Sequence, residues 1–347
     1  MNGIEIREYR GDFQDVADLV QRAFGATHLG KKLFPLYNAA FLSWQLGSGS
    51  EALLPAAYDG NRLVGTLFSI PHTVRIGSKT CSIGICSWFA VDPEHQRSDL
   101  GLRLTEAVRQ RQGERGLVCS LVVTMGDLPF RSRYLRAHPG AYALLFKLGL
   151  WVKMLVPRKL ATAATEPAPR LLSRAVGPLL GIIPQPHHAH VRLYRAGDLQ
   201  SCALLLEKAG AAFDWALVWS IERLARQLAS RVSNTLVLER DSRLQGLINY
   251  HFITVQGHEP IRAAMIDLWA DGNLSNMERA RFLGHFCQEL RARNIELIMA
   301  ARSAMMPAAA FAANLFIPTP REFHVGSILT QGAEPLPEPK TWSLLIR

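Results

Sequence analysis

Apolar and polar residues alternate along the chain in a pattern that predicts strands and helices in a fixed order. Residues 3–9 (GIEIREY) alternate with period two, which is typical of a half-buried strand. After Asp12, which is suited to cap a helix, apolar residues recur at helical spacing. The end of a second helix follows at 41–47. Two apolar runs then flank the turn at 59–61 (DGN) and predict a hairpin, because Gly and Asn accept the positive φ of tight turns.

The next elements complete one mixed unit. Residues 80–91 (TCSIGICSWFAV) are apolar at nearly every position, which predicts a central strand. A helix with one apolar side follows and ends between Gly113 and Gly116, and residues 117–125 (LVCSLVVTM) predict another buried strand. The order strand, helix, helix, hairpin, strand, helix, strand indicates a mixed α/β sheet with helices on its faces.

The same order of elements occurs a second time, between residues 190 and 300. Gly65 in the first hairpin corresponds to Gly246, 181 positions later. Gly116, at the end of the first long helix, corresponds to Asn294, 178 positions later. Two independent landmarks with nearly the same shift indicate an internal duplication.

The repeat predicts two domains, at 1–156 and 189–347, joined by a segment at 157–188. Residues 157–170 are rich in Pro, Ala and Thr and have little periodicity, which is typical of a linker. Residues 171–188 are apolar and interrupted by prolines, and we expect them to pack between the two halves.

Charge and cysteine content narrow the classes of partner and compartment. The 347 residues carry a net charge of +10, which favours anionic partners such as nucleotide phosphates or acidic lipids. The basic residues are scattered and no aromatic-basic platform accompanies them, so we predict no nucleic-acid partner. Five cysteines without a paired pattern, and a charged N-terminus without an apolar signal core, favour a cytoplasmic location.

The polar turn at 96–101 (QRSDLG) is the strongest candidate for chemistry. The first backbone N–H groups of a helix lack partners and carry a partial positive charge, which suits an anion such as a pyrophosphate. Arg97 adds a formal positive charge, whereas Asp99 repels a phosphate unless it turns back to cap the helix. A plain capped helix, with Ser98 or Asp99 as N-cap, stays open as the alternative.

The strand, turn and helix together resemble the GNAT superfamily of acyl-CoA-dependent N-acyltransferases. In that family a central strand ends in V-x-P, and a turn of pattern Q/R-x-x-G-x-G/A opens the next helix. Here the strand ends in VDP at 91–93, and the turn matches at Gln96 and Gly101 but has Asp99 in place of the middle glycine. The resemblance implies an α/β fold of two tandem GNAT-like domains, each a mixed, mostly antiparallel sheet flanked by helices.

The resemblance also implies a reaction and a cofactor site. It implies transfer of an acyl group from acetyl-CoA or another acyl-CoA to the amine of a small molecule or amino sugar. Backbone groups at the end of the central strand would pair with the pantetheine arm, and N–H groups of the turn would hold the pyrophosphate. The implied cofactor-binding residues are Phe89, Ala90, Val91, Gln96, Arg97, Ser98, Asp99, Leu100, Gly101 and Leu102. The second half lacks such a turn, so only the first half is expected to bind the cofactor.

Direct attack of an amine on a thioester needs a base, donors for the oxyanion and an acid for the leaving thiolate. In the family the base is often a carboxylate on the central strand. Here Ser87 is the only hydroxyl near that end, and a water relay through it is one option. The family's acid is often a tyrosine, but Leu145 stands at that position. Tyr142 could substitute if its segment is helical, with a core aromatic role as the alternative, and Tyr134 is a weaker candidate.

Two further sets of residues stand out. Asp267 lies on the central strand of the second half, and a carboxylate buried there without a partner costs free energy. We therefore predict that Asp267 contributes to an amine-binding pocket, with a water-facing strand edge as the alternative. His187, His188 and His190 lie at a Pro-rich joint with no carboxylate or cysteine nearby, so no metal site is predicted there.

Basic residues near apolar segments leave two interpretations open. Arg131, Arg133 and Arg136 are spaced for one helical face, which is either solvated or in contact with the CoA 3′-phosphate. Between Ala141 and Ile183, apolar runs are accompanied by six basic residues and one acidic residue. This pattern is typical of weak association with anionic membrane surfaces. The alternative is that the segment supplies the last strands of the first sheet and packs between the halves.

Because the family's base and acid are missing, a second function stays open. It is that of a non-catalytic GNAT-fold binding or scaffold protein.

Overall fold

The computed structural model describes residues 3–47, 51–96, 98–125, 136, 138–175, 177–184, 190–320 and 322–345. Its strands are β1 Glu5–Glu8, β2 Phe34–Leu36, β3 Pro55–Asp59, β4 Arg62–Ile76, β5 Lys79–Val91, β6 Cys119–Met125, β7 Tyr142–Leu148, β8 Leu150–Met154, β9 Val191–Leu193, β10 Trp215–Leu217, β11 Ser233–Arg240, β12 Arg243–Gln256, β13 Pro260–Asp271, β14 Leu297–Ala301, β15 Ile317–Pro318, β16 Phe323–Leu329 and β17 Trp342–Ser343. Its helices are α1 Phe13–His28, α2 Ala39–Leu46, α3 Leu100–Glu114, α4 Pro157–Ala163, α5 Pro167–Ala175, α6 Gly177–Leu180, α7 Leu199–Gly210, α8 Ile221–Leu228, α9 Asn276–Ala292 and α10 Ala308–Ala313.

The strands form two mixed sheets that confirm the predicted fold class. The first sheet has the order β1-β3-β4-β5-β6-β16-β7, and the second has the order β15-β8-β14-β13-β12-β11-β9. Most neighbours are antiparallel, but β5 pairs with β6, and β13 with β14, in parallel. Strands β10 and β17 join the first sheet through β4, and β2 joins the second sheet through β12.

Each half contributes strands to the sheet of the other, and two of them lie inside the main strand order. Strand β16 of the second half lies between β6 and β7, and β8 of the first half lies between β14 and β15. The expectation that residues 141–156 supply the last strands of the first sheet is therefore wrong for β8. The chain crosses between the sheets at Gly149, where a Cβ atom would lie 2.7 Å from the carbonyl oxygen of Thr319. The division between sheets does not coincide with residue 156, and the domain boundaries stay a prediction.

The two halves place equivalent glycines under equivalent helices. Gly65 pairs with Val91 at the end of β5, and Gly246 pairs with Asp271 at the end of β13. A Cβ atom on Gly65 would lie 3.0 Å from Leu104 of α3, and one on Gly246 would lie 3.1 Å from Phe282 of α9. Both glycines thus let a helix pack closely on the sheet, as the repeat predicts.

The second pair of landmarks ends the two helices in the same way. Gly116 follows α3 with φ +68°, and Asn294 follows α9 with φ +56°. A left-handed residue after the last turn is the common helix terminator, and Gly and Asn are the residues that adopt it most readily. The sequence shift between the halves therefore reflects a true structural repeat.

The segment predicted to be a linker is folded. Helix α4 buries Leu160 and Ala163 against strands of the second sheet, including Ile261 of β13 and Met154 of β8. The Pro and Ala residues that suggested a linker are helix starts and small buried positions, because Pro is tolerated in a first helical turn. No helix within the described ranges is long and apolar enough to cross a membrane.

Candidate functional site

The centre of the first sheet opens between β5 and β6. These parallel strands pair only from Gly84 with Ser120 to Cys86 with Val122. Strand β5 then continues to Val91 without pairing to β6, which stays bonded to β16 on its other side. The two strand ends therefore diverge into a V-shaped gap, which can accept an extended chain as an added strand.

A β-bulge at Trp88 accompanies the divergence. Trp88 has φ +53°, a left-handed conformation that a tryptophan adopts only where its surroundings enforce it. The pairing of β4 with β5 shifts register between Thr66 and Phe68, and the Thr66 hydroxyl donates a hydrogen bond of 2.8 Å to the Trp88 carbonyl. The bulge re-aims the last residues of β5 at the edge of the V.

Two serines and a thiol lie beneath the V. The hydroxyls of Ser69 and Ser120 are 2.9 Å apart and meet directly over Gly84, where a Cβ atom would be 2.1 Å and 2.2 Å from them. Burial raises the pKa of the neighbouring Cys86 thiol to about 12. A thiol in this state is a poor nucleophile, so the geometry favours direct transfer over an acyl-cysteine intermediate.

The turn after β5 is fixed by Asp92, the middle residue of the V-D-P sequence. Its carboxylate is almost fully buried and accepts hydrogen bonds from Arg62 at 3.0 Å and Arg22 at 3.4 Å. Arg62 also contacts Glu94 at 2.8 Å. The carboxylates of Asp92 and Glu94 lie near His95 and could hold a cation, but Arg62 already bridges both and Arg22 contacts Asp92 as well. We therefore interpret this group as a brace for the turn.

The start of α3 is shaped by side chains of the turn rather than by its N-cap residue. The Gln96 side chain donates to the Val91 carbonyl at 3.2 Å, and the Ser98 hydroxyl accepts from the Leu100 amide at 3.2 Å. Asp99 occupies the N-cap position, but its side chain makes no capping hydrogen bond. The amides of a first helical turn and the partial positive charge of the helix start favour an anion. Arg97, the predicted positive charge of the turn, lies outside the described residues.

The corresponding place in the second half is closed by the chain itself. Asp271, at the end of β13, makes two hydrogen bonds of 2.9 Å with Arg279 of α9. Burial alone would raise the pKa of Asp271, but hydrogen bonds from Arg279 and Trp269 outweigh it and hold the pKa below its ordinary value. The helix start is satisfied by a capping box of Ser275 and Glu278. A fixed carboxylate and a capped helix start both disfavour a phosphate there.

The structure does not bring Ser87 and Tyr142 together. Tyr142 lies on β7, in the same row across the sheet as Gly84, three strands away or about 14 Å. Ser87 follows Gly84 by three residues on β5, so its side chain faces the opposite side of the sheet. The sequence suggests that Tyr142 takes the place of Leu145 only if this segment is helical. The segment is a strand, in which positions three apart face opposite sides of the sheet. The phenol instead covers Gly326.

Asp267 lies at the centre of a buried polar network rather than at a water-facing edge. It is the extra residue of a β-bulge in β13 and is only 6% exposed. Its carboxylate pairs with Nδ1 of His251 at 2.8 Å and accepts from the Gln227 amide at 3.3 Å. Gln227 also donates to Asn249 at 2.6 Å. The network therefore holds a carboxylate and an imidazole in fixed orientation inside the second half.

Aromatic rings of α2 connect this network to the bulge of the first sheet. The His251 ring lies 4.9 Å from the ring of Phe41 and 6.0 Å from that of Trp44. Phe41 in turn lies 6.3 Å from Trp88, with Tyr37 6.1 Å from Trp88 on the same side. The His251–Asp267 pair thus lies one aromatic ring away from the bulge beside the V.

His251 and Gln227 are site residues that the sequence did not single out. His251 is 2% exposed and stands between Tyr250 and Phe252 on β12, which gives the same signal of a buried polar group that identified Asp267. Their contact depends on a register shift between β12 and β13, which periodicity does not reveal. Five of the other candidates lie outside the described residues: Arg131, Arg133, Tyr134, His187 and His188. Arg136 and His190 are exposed.

Comparisons with known proteins agree with this geometry. Residues 5–126 match the family model described as an acetyltransferase (GNAT) domain. Saccharomyces cerevisiae N-myristoyltransferase with bound myristoyl-CoA is similar over 94% of this chain and 83% of that chain, with TM-score 0.78 and 12% identity. A probable N-acyltransferase from Enterococcus faecalis is similar over 94% of this chain and 73% of that chain, with TM-score 0.55 and 11% identity. No curated protein matches the sequence. At these identities, the structural likeness concerns the fold alone.

Proposed function

We propose that the protein transfers an acyl group from an acyl-CoA to an amine, since its residues 5–126 match the model of an acetyltransferase (GNAT) domain. The observation that carries the proposal is the V between β5 and β6, followed directly by the start of α3, whose N-cap residue Asp99 makes no capping hydrogen bond. The V offers strand edges to an extended pantetheine arm, and the helix start offers amides to a pyrophosphate.

The reaction balances without a covalent enzyme intermediate. The neutral amine attacks the thioester carbonyl, the C–N bond forms, and the carbonyl oxygen becomes an oxyanion. The C–S bond then breaks, the amine loses a proton, and the departing CoA thiolate gains one. Cys86 has no role as a nucleophile in this scheme, since burial keeps its thiol protonated.

We assign the acceptor amine to the second half. Asp267 and His251 form a carboxylate–imidazole pair behind α2, one ring away from the bulge at Trp88. A carboxylate that orients an imidazole is a common arrangement for taking a proton from a substrate. The pair is nearly buried, so the acceptor must displace part of the aromatic layer of Phe41 and Trp44 to reach it.

Release of CoA thiol, measured with a panel of amines and both acetyl-CoA and myristoyl-CoA, tests the activity. We expect amine-dependent release with at least one acyl donor. The isosteric variant Asp267→Asn should lower kcat/KM by about 100-fold or more, since it removes the charge that orients His251. The dissociation constant for acyl-CoA should not change, because the acyl donor lies in the other half.

The choice of donor belongs to the same experiment. The yeast N-myristoyltransferase structure contains myristoyl-CoA, which makes long-chain donors a natural part of the panel. Acetyl-CoA and longer donors differ only beyond the thioester, so the ratio of their kcat/KM values reports the acyl pocket.

The second candidate function is a non-catalytic GNAT-fold binding protein. The separation of Ser87 from Tyr142, on opposite faces of the first sheet, favours it, because no acid–base pair forms there. Binding of acyl-CoA without any amine-dependent thiol release would support this candidate and contradict the proposed transfer.

A further inference from the structure

The surface of the segment 157–184 combines exposed aliphatic side chains with basic ones. Leu171 and Leu179 are each 63% exposed and Ile182 is 48% exposed. These exposed aliphatic side chains come from α5 (Leu171), from α6 (Leu179) and from the residues just after α6 (Ile182). We call this surface, with the exposed Arg158 and Arg174 beside it, the α5–α6 face.

Backbone carbonyl groups of this segment point into the protein and accept hydrogen bonds from side chains of β8 and α9. Lys153, with 0% of its surface exposed, donates to the carbonyls of Leu180 at 2.7 Å and Ile182 at 2.5 Å. Arg291 of α9 donates to the carbonyl of Gly181. Polar backbone groups of this turn are thus satisfied inside the protein, while the side chains of Leu179 and Ile182 point to solvent.

The same segment is anchored along its length. Arg170 donates twice to the Ala164 carbonyl, at 2.8 Å and 3.3 Å, and Ser173 is buried against Met154 of β8. Helix α4 buries Leu160 in the second sheet. The exposed aliphatic residues therefore lie on a segment that is held in place by buried contacts.

Charge indicates what covers this face. The segment 157–184 carries four basic residues, Arg158, Lys159, Arg170 and Arg174, and one acidic residue, Glu166, in a chain with net charge +10. Aliphatic residues flanked by Lys and Arg, with backbone polar groups already satisfied, fit the interface of an anionic bilayer. An apolar protein partner would not need the positive rim.

We propose that the α5–α6 face docks on the surface of an anionic lipid bilayer. The aliphatic side chains enter the headgroup boundary, and Arg158 and Arg174 contact lipid phosphates. The docking is peripheral and reversible, because one short face buries little area and charge attraction is screened by salt. It holds the protein where acidic lipids are and does not depend on the proposed acyl transfer.

Sedimentation with vesicles tests the proposal. The parent protein should sediment with vesicles of phosphatidylcholine that contain about 30 mol% phosphatidylglycerol, and about 0.5 M NaCl should release it. It should stay in the supernatant with pure phosphatidylcholine. If the parent stays in the supernatant with anionic vesicles at low salt, the proposal is wrong.

Matched variants locate the surface. Leu171→Ser with Leu179→Ser, and separately Arg158→Glu with Arg174→Glu, should each lower the partition coefficient about tenfold or more. The controls are Leu193→Ser with Leu204→Ser, and Arg243→Glu with Arg281→Glu, which change exposed residues outside the segment. The controls should sediment like the parent. Equal sedimentation of the segment variants and the parent would overturn the assignment.

A fluorescence measurement keeps the test independent of disruptive changes. Leu179→Trp should give emission that brominated lipids quench on vesicle binding, whereas Leu204→Trp should not. Equal quenching of both would contradict the proposed orientation. Self-association in the absence of vesicles, abolished by Leu171→Ser with Leu179→Ser and without vesicle binding, would assign the face to a second copy instead.

Discussion

Gly84 shows how a single missing Cβ atom shapes the floor of the V. The hydroxyls of Ser69 and Ser120 bond to each other across the space that a side chain would fill. We predict that Gly84→Ala lowers the free energy of unfolding by about 2–3 kcal/mol, through overpacking and loss of that hydrogen bond. Chemical denaturation measures it. Gly25→Ala, where a Cβ meets nothing within 4 Å, is the control and should not destabilise; equal stability of both variants would contradict this account.

Asp99 is the residue at which the turn departs from the family pattern. Its side chain does not cap α3, and it places a negative charge at the proposed pyrophosphate site. We predict that Asp99→Gly strengthens acyl-CoA binding about two- to fivefold at low salt, because it removes that repulsion. Calorimetric titration measures the change. Glu114→Ala, at the far end of the same helix, should have no effect, and weaker binding of Asp99→Gly would mean that the carboxylate organises the turn.

The buried side chain of Lys153 predicts how the free energy of unfolding depends on pH. Burial lowers the pKa of Lys153 to about 8 in the folded chain, below its ordinary value in the unfolded chain. Between these two values the unfolded chain binds more protons, so the free energy of unfolding rises as pH increases from about 8 toward 10.5. The rise is at most about 3 kcal/mol.

Denaturation of the parent and of Lys153→Met at about pH 7.5 and pH 10 isolates this contribution. The substitution keeps a long unbranched side chain but removes the titrating amine. The parent should gain more stability between the two pH values than the variant does. Identical slopes would show that the Lys153 pKa is not lowered in the folded protein.

At the scale of elements, the sequence predicts strands and helices better than their partners. Period-two alternation identifies a strand but not its neighbours. The chain passes from the first sheet to the second at Gly149, and β8 then pairs between β14 and β15. The interpretation that residues 141–156 supply the last strands of the first sheet is therefore right about a strand at Leu150–Met154 but wrong about the sheet that contains it. The glycine and asparagine landmarks did predict geometry, since they report backbone positions that few other residues can occupy.

In the candidate site, too, features built from consecutive residues could be predicted and features built from distant residues could not. The turn at 96–101 could be predicted because consecutive residues build it. The network of Asp267, His251 and Gln227 could not, because it joins two strands and a helix through a register shift. The role of Tyr142 assumed a helix where the structure has a strand. Whether Ser87 and Tyr142 face the same side of the sheet depends on the pairing register of three pairs of strands, which the sequence does not give.

At the scale of the whole molecule, strand exchange makes the two halves one folding unit. A fragment of residues 1–156 lacks β16, which joins β6 to β7, and exposes β8 without its sheet. We predict that this fragment does not fold alone and that the full chain unfolds in a single cooperative transition. Far-ultraviolet circular dichroism and tryptophan fluorescence should give coincident melting curves. A fragment with native-like dispersion in its NMR spectrum would contradict the prediction.

We predict that one acyl-CoA binds at the start of α3 and none at the equivalent start of α9. Calorimetric titration with the better acyl donor should give one site per chain. Gly101→Glu puts a carboxylate in the first turn of α3, where acidic residues are compatible with the helix, and should weaken binding about tenfold or more. Met277→Glu, at the same helical position of α9 and 59% exposed, should bind like the parent. No binding by the parent, two sites per chain, or unchanged affinity in Gly101→Glu would contradict the account.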